Sequence, residues 1–411
     1  MRCHRYNAPL QCTVAAAPSL GDLLVQRTRH VVVAKWRYCL FLVVMAGVIG
    51  LQREAAAADP AQFELRLPRR YQVVQRQGFD PRHAHEHEPG GPTLGFAQVA
   101  IEADLSAAKD SIGDARVFEY RAVAQPGGYG AGTDWTAIEG QRRDRNWSAV
   151  ARVPAGGWYR LEVRARSDDR IVATASVDPI GVGEVLVVAG QSYAVGANDE
   201  LTKVEDPQGR IVAYDVVNMS WHVADDPQPH AGDGGTIWPT AGNLLLPLVR
   251  VPIGFVNVAV GGTATRQWLP GEKLYEQLSA AGKAAGRFRA VLWQQGESDV
   301  IEHRSTEYYV KNLATIRAAL AKQWGFDPPW LLAKSTLHPT VYNDPQGEGR
   351  IRAAIDQLET MPGFRAGPDT DILGGENRGG LGTRRHFSGV GQRRAGLMWF
   401  AALWNELNRA P

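Results

Sequence analysis

Cysteine is nearly absent from this chain: among 411 residues there are three, Cys3, Cys12 and Cys39, all close to the amino terminus. Everything after them lacks a thiol nucleophile, a disulfide and a thiolate metal ligand. An excess of charge of one sign is also missing, with 45 Lys+Arg against 43 Asp+Glu, which gives no electrostatic reason to expect nucleic acid or another polyanion as partner. The extended apolar run Tyr38–Leu51 is fourteen residues long, short of the roughly 20 that a spanning helix needs. Walker loops and Gly-rich dinucleotide motifs in context are absent. So is a Gly-x-Ser-x-Gly elbow, because Ala194 stands two residues after Ser192.

What is present begins with that apolar run. Arg27, Arg29, Lys35 and Arg37 precede it, and Ala55 to Ala58 follow it before Asp59. A basic flank, a short apolar core and small residues are the layout of a secretory signal peptide. Residues 1–58 are therefore expected to be a leader. The remainder is then exported, periplasmic or secreted, with no stable membrane span, and depends on its cores for stability.

From about Phe63 to Val177 short alternating segments lie between turn clusters. Phe63–Leu67 and Tyr159–Ala165 alternate apolar and polar, and Pro126–Gly132 reads as a loop between strands. Period-two patterning predicts a smaller all-β, sandwich-like domain over 59–178. After Gly183 the rhythm changes. Apolar runs at Val185–Ala189, Ile253–Ala259, Ala290–Gln294 and Trp330–Ala333, with a weaker one at Asp369–Leu373, alternate with helical stripes. Tyr309, Leu313, Ile316 and Leu320 form one stripe, and Ile351, Ala354, Ile355 and Leu358 another; a final helix is expected from Gly391 to Leu407. This predicts an α/β domain over 179–411, a three-layer, flavodoxin-like parallel sheet. Asp199–Asp233 reads as loop.

In a parallel sheet all strands end on one rim, where ligands bind. Read in order, that rim receives Gly190-Gln191-Ser192, then Gly261-Gly262-Thr263, then Gln295-Gly296-Glu297-Ser298-Asp299, then His338, and finally His386-Phe387-Ser388. A hydroxyl nucleophile, an imidazole base, backbone N–H donors freed by glycine and an amide are what acyl transfer requires.

These blocks, with Val182-Gly183-Glu184-Val185 before the serine and Trp268 after Gly262, resemble the sialate O-acetylesterase-like carbohydrate esterases of the SGNH hydrolase superfamily. The resemblance implies a serine esterase that removes O-acetyl groups from a carbohydrate through an acyl-enzyme, with no metal and no cofactor. Ser192 would be the nucleophile, His386 the base, and Gly262 and Gln295 the oxyanion donors. Gln191, Asp299 and Trp268 would join the oxyanion or substrate contacts. Two positions depart from the family pattern: Tyr193 stands where Asn is usual, and Thr383 where Asp is usual three residues before the histidine. The orienting role of that acid would pass to Glu297, to Asp299 or to a backbone carbonyl. A non-catalytic or weakly active carbohydrate-binding protein on the same scaffold is the alternative.

Simpler roles compete at each position. Ser192 could cap a helix, Glu297 and Asp299 could be solvated, and His338 could replace His386 as base. His83, His85 and His87 could bind a metal but read better as a wet loop. Trp221, Trp238 and Trp268 could stack on a sugar or pack in a core.

Overall fold

The computed structural model describes residues 59–79, 94–113, 115–229, 232–339, 343–379 and 384–409. The expected leader, the His83/His85/His87 segment and Thr383 lie outside these residues.

The first part of the chain is built from β1 (Ala61–Gln62), β2 (Glu64–Leu67), β3 (Val73–Gln75), β4 (Phe96–Asp104), the short helix α1 (Lys109–Ile112), β5 (Val117–Tyr129), β6 (Thr136–Ile138), β7 (Gly140–Arg143), β8 (Asn146–Pro154) and β9 (Gly156–Ser167). β2, β4, β8 and β7 form a four-stranded antiparallel sheet, while β9 pairs β5 on one side and the next strand, β10 (Arg170–Gly190), on the other. Alternate residues of both layers, among them Val99, Ile101, Trp147, Val153, Leu161 and Val163, are buried in one cluster. That is the sandwich pattern expected from period-two sequence. The stretch expected as a loop at Pro126–Gly132 is in part strand: β5 runs on to Tyr129, with an irregularity in its pairing between Ala124 and Tyr129.

The second part contains α2 (Ser192–Val195), β11 (Ile211–Asp215), β12 (Ser220–Val223), α3 (Trp238–Val249), β13 (Ile253–Asn257), α4 (Lys273–Ala285), β14 (Ala290–Gln294), α5 (Glu297–Ile301), α6 (Thr306–Trp324), β15 (Trp330–Lys334), α7 (Pro345–Glu359), β16 (Phe364–Asp369) and α8 (Gly389–Leu407). The strand order is β12-β11-β13-β10-β14-β15-β16, parallel throughout except for the edge pair β11/β12. Along β10, Leu186 and Val188 face one apolar layer with Trp238 and Leu245 of α3 and Trp399 and Leu403 of α8. Val185, Val187 and Ala189 face the other, with Leu278 of α4, Leu313 of α6 and Ile355 of α7. Helices on both faces of a parallel sheet make the three-layer α/β fold, and the strand order reverses across β10, the kind of switch point at whose carboxyl rim such sheets bind ligands.

Two parts of the sequence reading change. The weak strand expected at Asp369–Leu373 lies earlier, at Phe364–Asp369. The Asp369 carboxylate accepts from Asp371 N–H at 3.3 Å, and Thr370–Ile372 turns into a 3-10 helix. Asp199–Asp233 is not all loop, since Ile211–Asp215 is a fully buried strand that carries β12 at the sheet edge.

β10 links the two parts of the described residues. Its first half pairs β9, and its second half lies between β13 and β14, so the boundary expected at 178/179 falls within a single strand. At its centre Glu184 is fully buried and accepts from Arg76 Nε at 2.6 Å, Arg289 Nε at 2.8 Å and Gln75 Nε2 at 2.9 Å. Burial alone would raise this carboxyl, but Arg289 and Arg76 outweigh it and hold it at about 2. The ionised group thus ties the β-rich part to the parallel sheet.

Candidate active site

The carboxyl end of β10 delivers Ser192 to the rim. Gly190 has φ +129°, and a Cβ there would meet the Gln294 carbonyl oxygen at 2.1 Å, so only glycine lets β10 and β14 run this close before the chain turns. Gln191 N–H donates to the Gln294 carbonyl at 2.9 Å, and Ser192 opens α2. The Ala194 carbonyl accepts from Trp238 Nε1 at 2.9 Å and Asn257 Nδ2 at 2.8 Å, which fixes this short helix from behind. Ser192 is 6% exposed, and its Oγ is buried without a hydrogen-bond partner among the described residues.

Beside it runs the loop after β13. Val260 N–H donates to the Gly190 carbonyl at 3.0 Å, and a Cβ on Gly261 would lie 3.7 Å from that of Ser192. Gly262, at φ +70°, faces open space. The loop is held from below by buried side chains. Gln295 Nε2 donates to the Thr263 carbonyl at 3.0 Å and to Asp299 Oδ2 at 2.7 Å. Asp299 also accepts from Thr265 N–H at 2.8 Å and Thr265 Oγ1 at 2.7 Å, and Trp268 Nε1 donates to Thr263 Oγ1 at 3.1 Å.

This changes the reading of four residues. Gln295, Gln191, Asp299 and Trp268 were expected at the oxyanion or substrate; all four have no accessible surface. Both amide hydrogens of Gln295 are given to the Thr263 carbonyl and Asp299, so it shapes the glycine loop from behind and has none left for an oxyanion. Gln191 Nε2 donates to Glu297 Oε2 at 2.6 Å, and its Oε1 accepts from Gly296 N–H at 3.3 Å and Ser298 N–H at 3.4 Å. Burial raises the Asp299 carboxyl, and Trp268 stacks edge-on with Trp293 at 5.3 Å in the core. Trp238 is likewise fully buried, and Trp221 packs on Tyr214 at 5.0 Å.

Glu297 is fully buried. Beyond its bond to Gln191, its Oε1 lies 3.7 Å from Arg385 Nε. Burial pushes its carboxyl up to about 8 against the opposing pull of Arg385 and Arg378. A carboxyl raised in this way is poorly suited to stabilise an imidazolium by charge, and its partners among the described residues are Gln191 Nε2 and Arg385 Nε.

His386 precedes α8. Its carbonyl accepts from Gly379 N–H at 2.9 Å, and the next residue is tied on both sides: Phe387 N–H donates to Asn198 Oδ1 at 3.2 Å, and the Phe387 carbonyl accepts from Asp199 N–H at 3.1 Å. The Nε2 atom is buried without a hydrogen-bond partner among the described residues. Burial, then Arg385, His338 and Arg378, lower the imidazole to about 4, with Asp199 acting the other way. His338, itself buried and lowered first by burial, is therefore a neighbour of His386 within the same site. Tyr193 follows Ser192 in α2, and its ring is edge-on to the His386 ring at 5.4 Å. Sequence reasoning marked Tyr193 only as a departure and missed Arg378, whose position nothing in its local pattern betrays.

Among the described residues no group of three or more His, Cys, Asp or Glu could hold a metal ion, and no helix is long and apolar enough to cross a membrane. A cavity of about 580 Å³ lined by Arg66, Gln75, Arg76, Trp221 and Arg287 lies at the opposite, amino-terminal end of the parallel strands.

Residues 182–335 match the family model described as carbohydrate esterase, sialic acid-specific acetylesterase. That segment contains Ser192, Gly262 and the Gln295–Asp299 block, and ends before His386. A probable carbohydrate esterase of Arabidopsis thaliana is 27% identical over 160 residues, 33% of this chain and 62% of that protein, so the match spans less than two thirds of the curated relative. Among solved structures, a carbohydrate acetylesterase from Xanthomonas citri is similar, with 16% identity, TM-score 0.51, and coverage of 84% of this chain and 75% of that one. This last likeness shows the fold. The resemblance to sialate O-acetylesterase-like carbohydrate esterases, read first from the motifs, thus holds over residues 182–335.

Proposed function

We propose that this protein is a serine esterase that removes O-acetyl groups from a carbohydrate, exported to the periplasm or secreted. The observation that carries the reading is the pair of buried, unpartnered atoms on one rim, Ser192 Oγ and His386 Nε2. A hydroxyl and a neutral imidazole left without partners in a dry site are poised for a reacting group to come between or beside them.

In this reading His386 Nε2 takes the Ser192 proton as Oγ attacks the acetyl carbonyl carbon. The tetrahedral oxyanion accepts from the N–H groups of Ser192 and Gly262, the latter unshielded by any side chain. Collapse breaks the bond to the sugar oxygen, which leaves as a hydroxyl carrying the imidazolium proton, and acetyl-Ser192 remains. Water, giving a proton to the same imidazole, attacks the acetyl carbon; the bond to Oγ then breaks, the proton returns to Ser192 Oγ, and acetate leaves. Burial and its cationic neighbours keep His386 in the unprotonated form that can accept a proton down to about pH 4, as a weaker base than a free imidazole. Gln295 and Asp299 act one step back, by holding the Gly261–Thr265 loop. The export reading is supported by the basic flank and apolar run before Asp59.

A second reading, a carbohydrate-binding protein without turnover, gains from one observation: the buried Glu297 carboxyl is raised and is engaged by the Gln191 amide. One assay separates them. Wild-type protein should release acetate from p-nitrophenyl acetate and from acetylated glycans, and Ser192→Ala should lower the rate by at least about 10³-fold with folding intact. Glycan binding without acetate release by the wild type would favour the second reading, and full activity in Ser192→Ala would refute the first.

A further inference from the structure

We propose that Tyr193 and Arg378 form a clamp that positions the His386 imidazole, doing through the backbone and a ring edge what an orienting carboxylate does in a serine–histidine–acid site. The proposal rests on the esterase reading above and makes Tyr193 and Arg378 positioning residues, since neither is argued to touch substrate.

Tyr193 follows the nucleophile within the same turn of α2 and is 1% exposed. Its hydroxyl donates to the Arg385 carbonyl and accepts from Arg378 Nη1. Its ring meets the His386 ring edge-on at 5.4 Å and the Phe387 ring at 4.6 Å. One side chain therefore touches three successive residues of the histidine segment.

Arg378 completes the grip from the other side. It is 7% exposed, and Nη1 also reaches the Arg385 carbonyl at 3.2 Å. Nε and Nη2 are given to the Leu373 and Thr370 carbonyls, which anchors the guanidinium to the segment after β16. Its guanidinium carbon lies 5.1 Å from the Tyr193 ring centroid and 4.9 Å from that of Phe387. Backbone pairing between Arg378 and Phe387 adds a further tie. The Arg385 carbonyl thus accepts from two side chains at once, and the peptide leading into His386 cannot rotate without breaking both bonds.

An acid in a triad has two tasks, to orient the ring and to stabilise its charged form. The clamp can perform only the first. Arg378 and Arg385 are cationic and oppose imidazolium formation, as does His338, while Asp199 favours it. The design costs charge stabilisation yet fixes the spacing of nucleophile and base through one rigid residue. Packing alone gives no reason for the polar atoms, because Phe at 193 would fill the same space beside Phe387 without desolvating a hydroxyl and a guanidinium.

The test compares wild type, Tyr193→Phe, Arg378→Lys and Asp199→Asn on p-nitrophenyl acetate, with thermal unfolding and kcat against pH for each. Tyr193→Phe keeps the ring and removes both hydroxyl bonds. It should lower kcat by about 10- to 100-fold with KM nearly unchanged and the unfolding transition retained, the signature of a misplaced base. Arg378→Lys keeps the charge but loses the fork, and should reproduce the kcat loss in part; it decides the case if Tyr193→Phe does not fold. Wild-type kcat and pH profile in folded Tyr193→Phe would overturn the clamp. A kcat loss confined to Asp199→Asn would also overturn it and assign the orienting role to that acid. A wild type that releases no acetate is a different outcome, which refutes the esterase reading and the clamp with it.

Discussion

Glu297 holds a carboxyl group where water does not reach, one oxygen on the Gln191 amide and the other facing Arg385. Because its folded-state value, about 8, lies above the ordinary carboxylic value, the fold favours the neutral form. Its contribution to stability is complete below the unfolded value near 4.5 and is lost as pH rises through about 8. Glu297→Gln mimics the neutral acid, so its unfolding temperature should fall less than that of wild type between pH 5 and 8. Thermal unfolding across that range checks this, and parallel curves would contradict it. The places of Ser192 after β10 and of His386 before α8 were legible in the sequence, because the buried strand run and the closing helix each end in a readable pattern. For Gln191, Gln295 and Asp299 the same position was misleading. A polar side chain at a strand end can aim at ligand or at the neighbouring loop, and only the tertiary packing of Gln295 against Thr263 and Asp299 decides it.

At the scale of elements, the junction of β10 and α2 concentrates the constraint. A methyl group at Gly190 would collide with the Gln294 carbonyl and demand a positive φ from a residue that resists it. Gly190→Ala should cost on the order of 2 kcal/mol or more and displace Ser192. Denaturant unfolding with acetate release measures both, and unchanged stability and turnover would contradict the account. The expected strand Ala290–Gln294 coincides with β14, since five apolar-rich residues ending in amides admit little else. β11 was missed although all five of its residues are buried, because Ile211–Asp215 sits in a stretch otherwise rich in turn residues. β16 was displaced because Asp369, read as a strand start, uses its side chain to begin a turn.

At the largest scale, β10 joins a β-rich part to a parallel sheet and ends two residues before Ser192. Period-two and buried-run patterns revealed both parts, but not that one strand of 21 residues belongs to each. Along it, Arg76 and Arg289 meet Glu184, a contact between residues distant in sequence that no local pattern reveals. The central claim is that this architecture activates one hydroxyl, Ser192, through His386. Its most direct measurement is mass spectrometry of the intact protein after brief treatment with a fluorophosphonate. The account predicts one adduct per chain, mapping to Ser192 and strongly slowed in His386→Ala; no adduct, or an adduct on another residue, would contradict it.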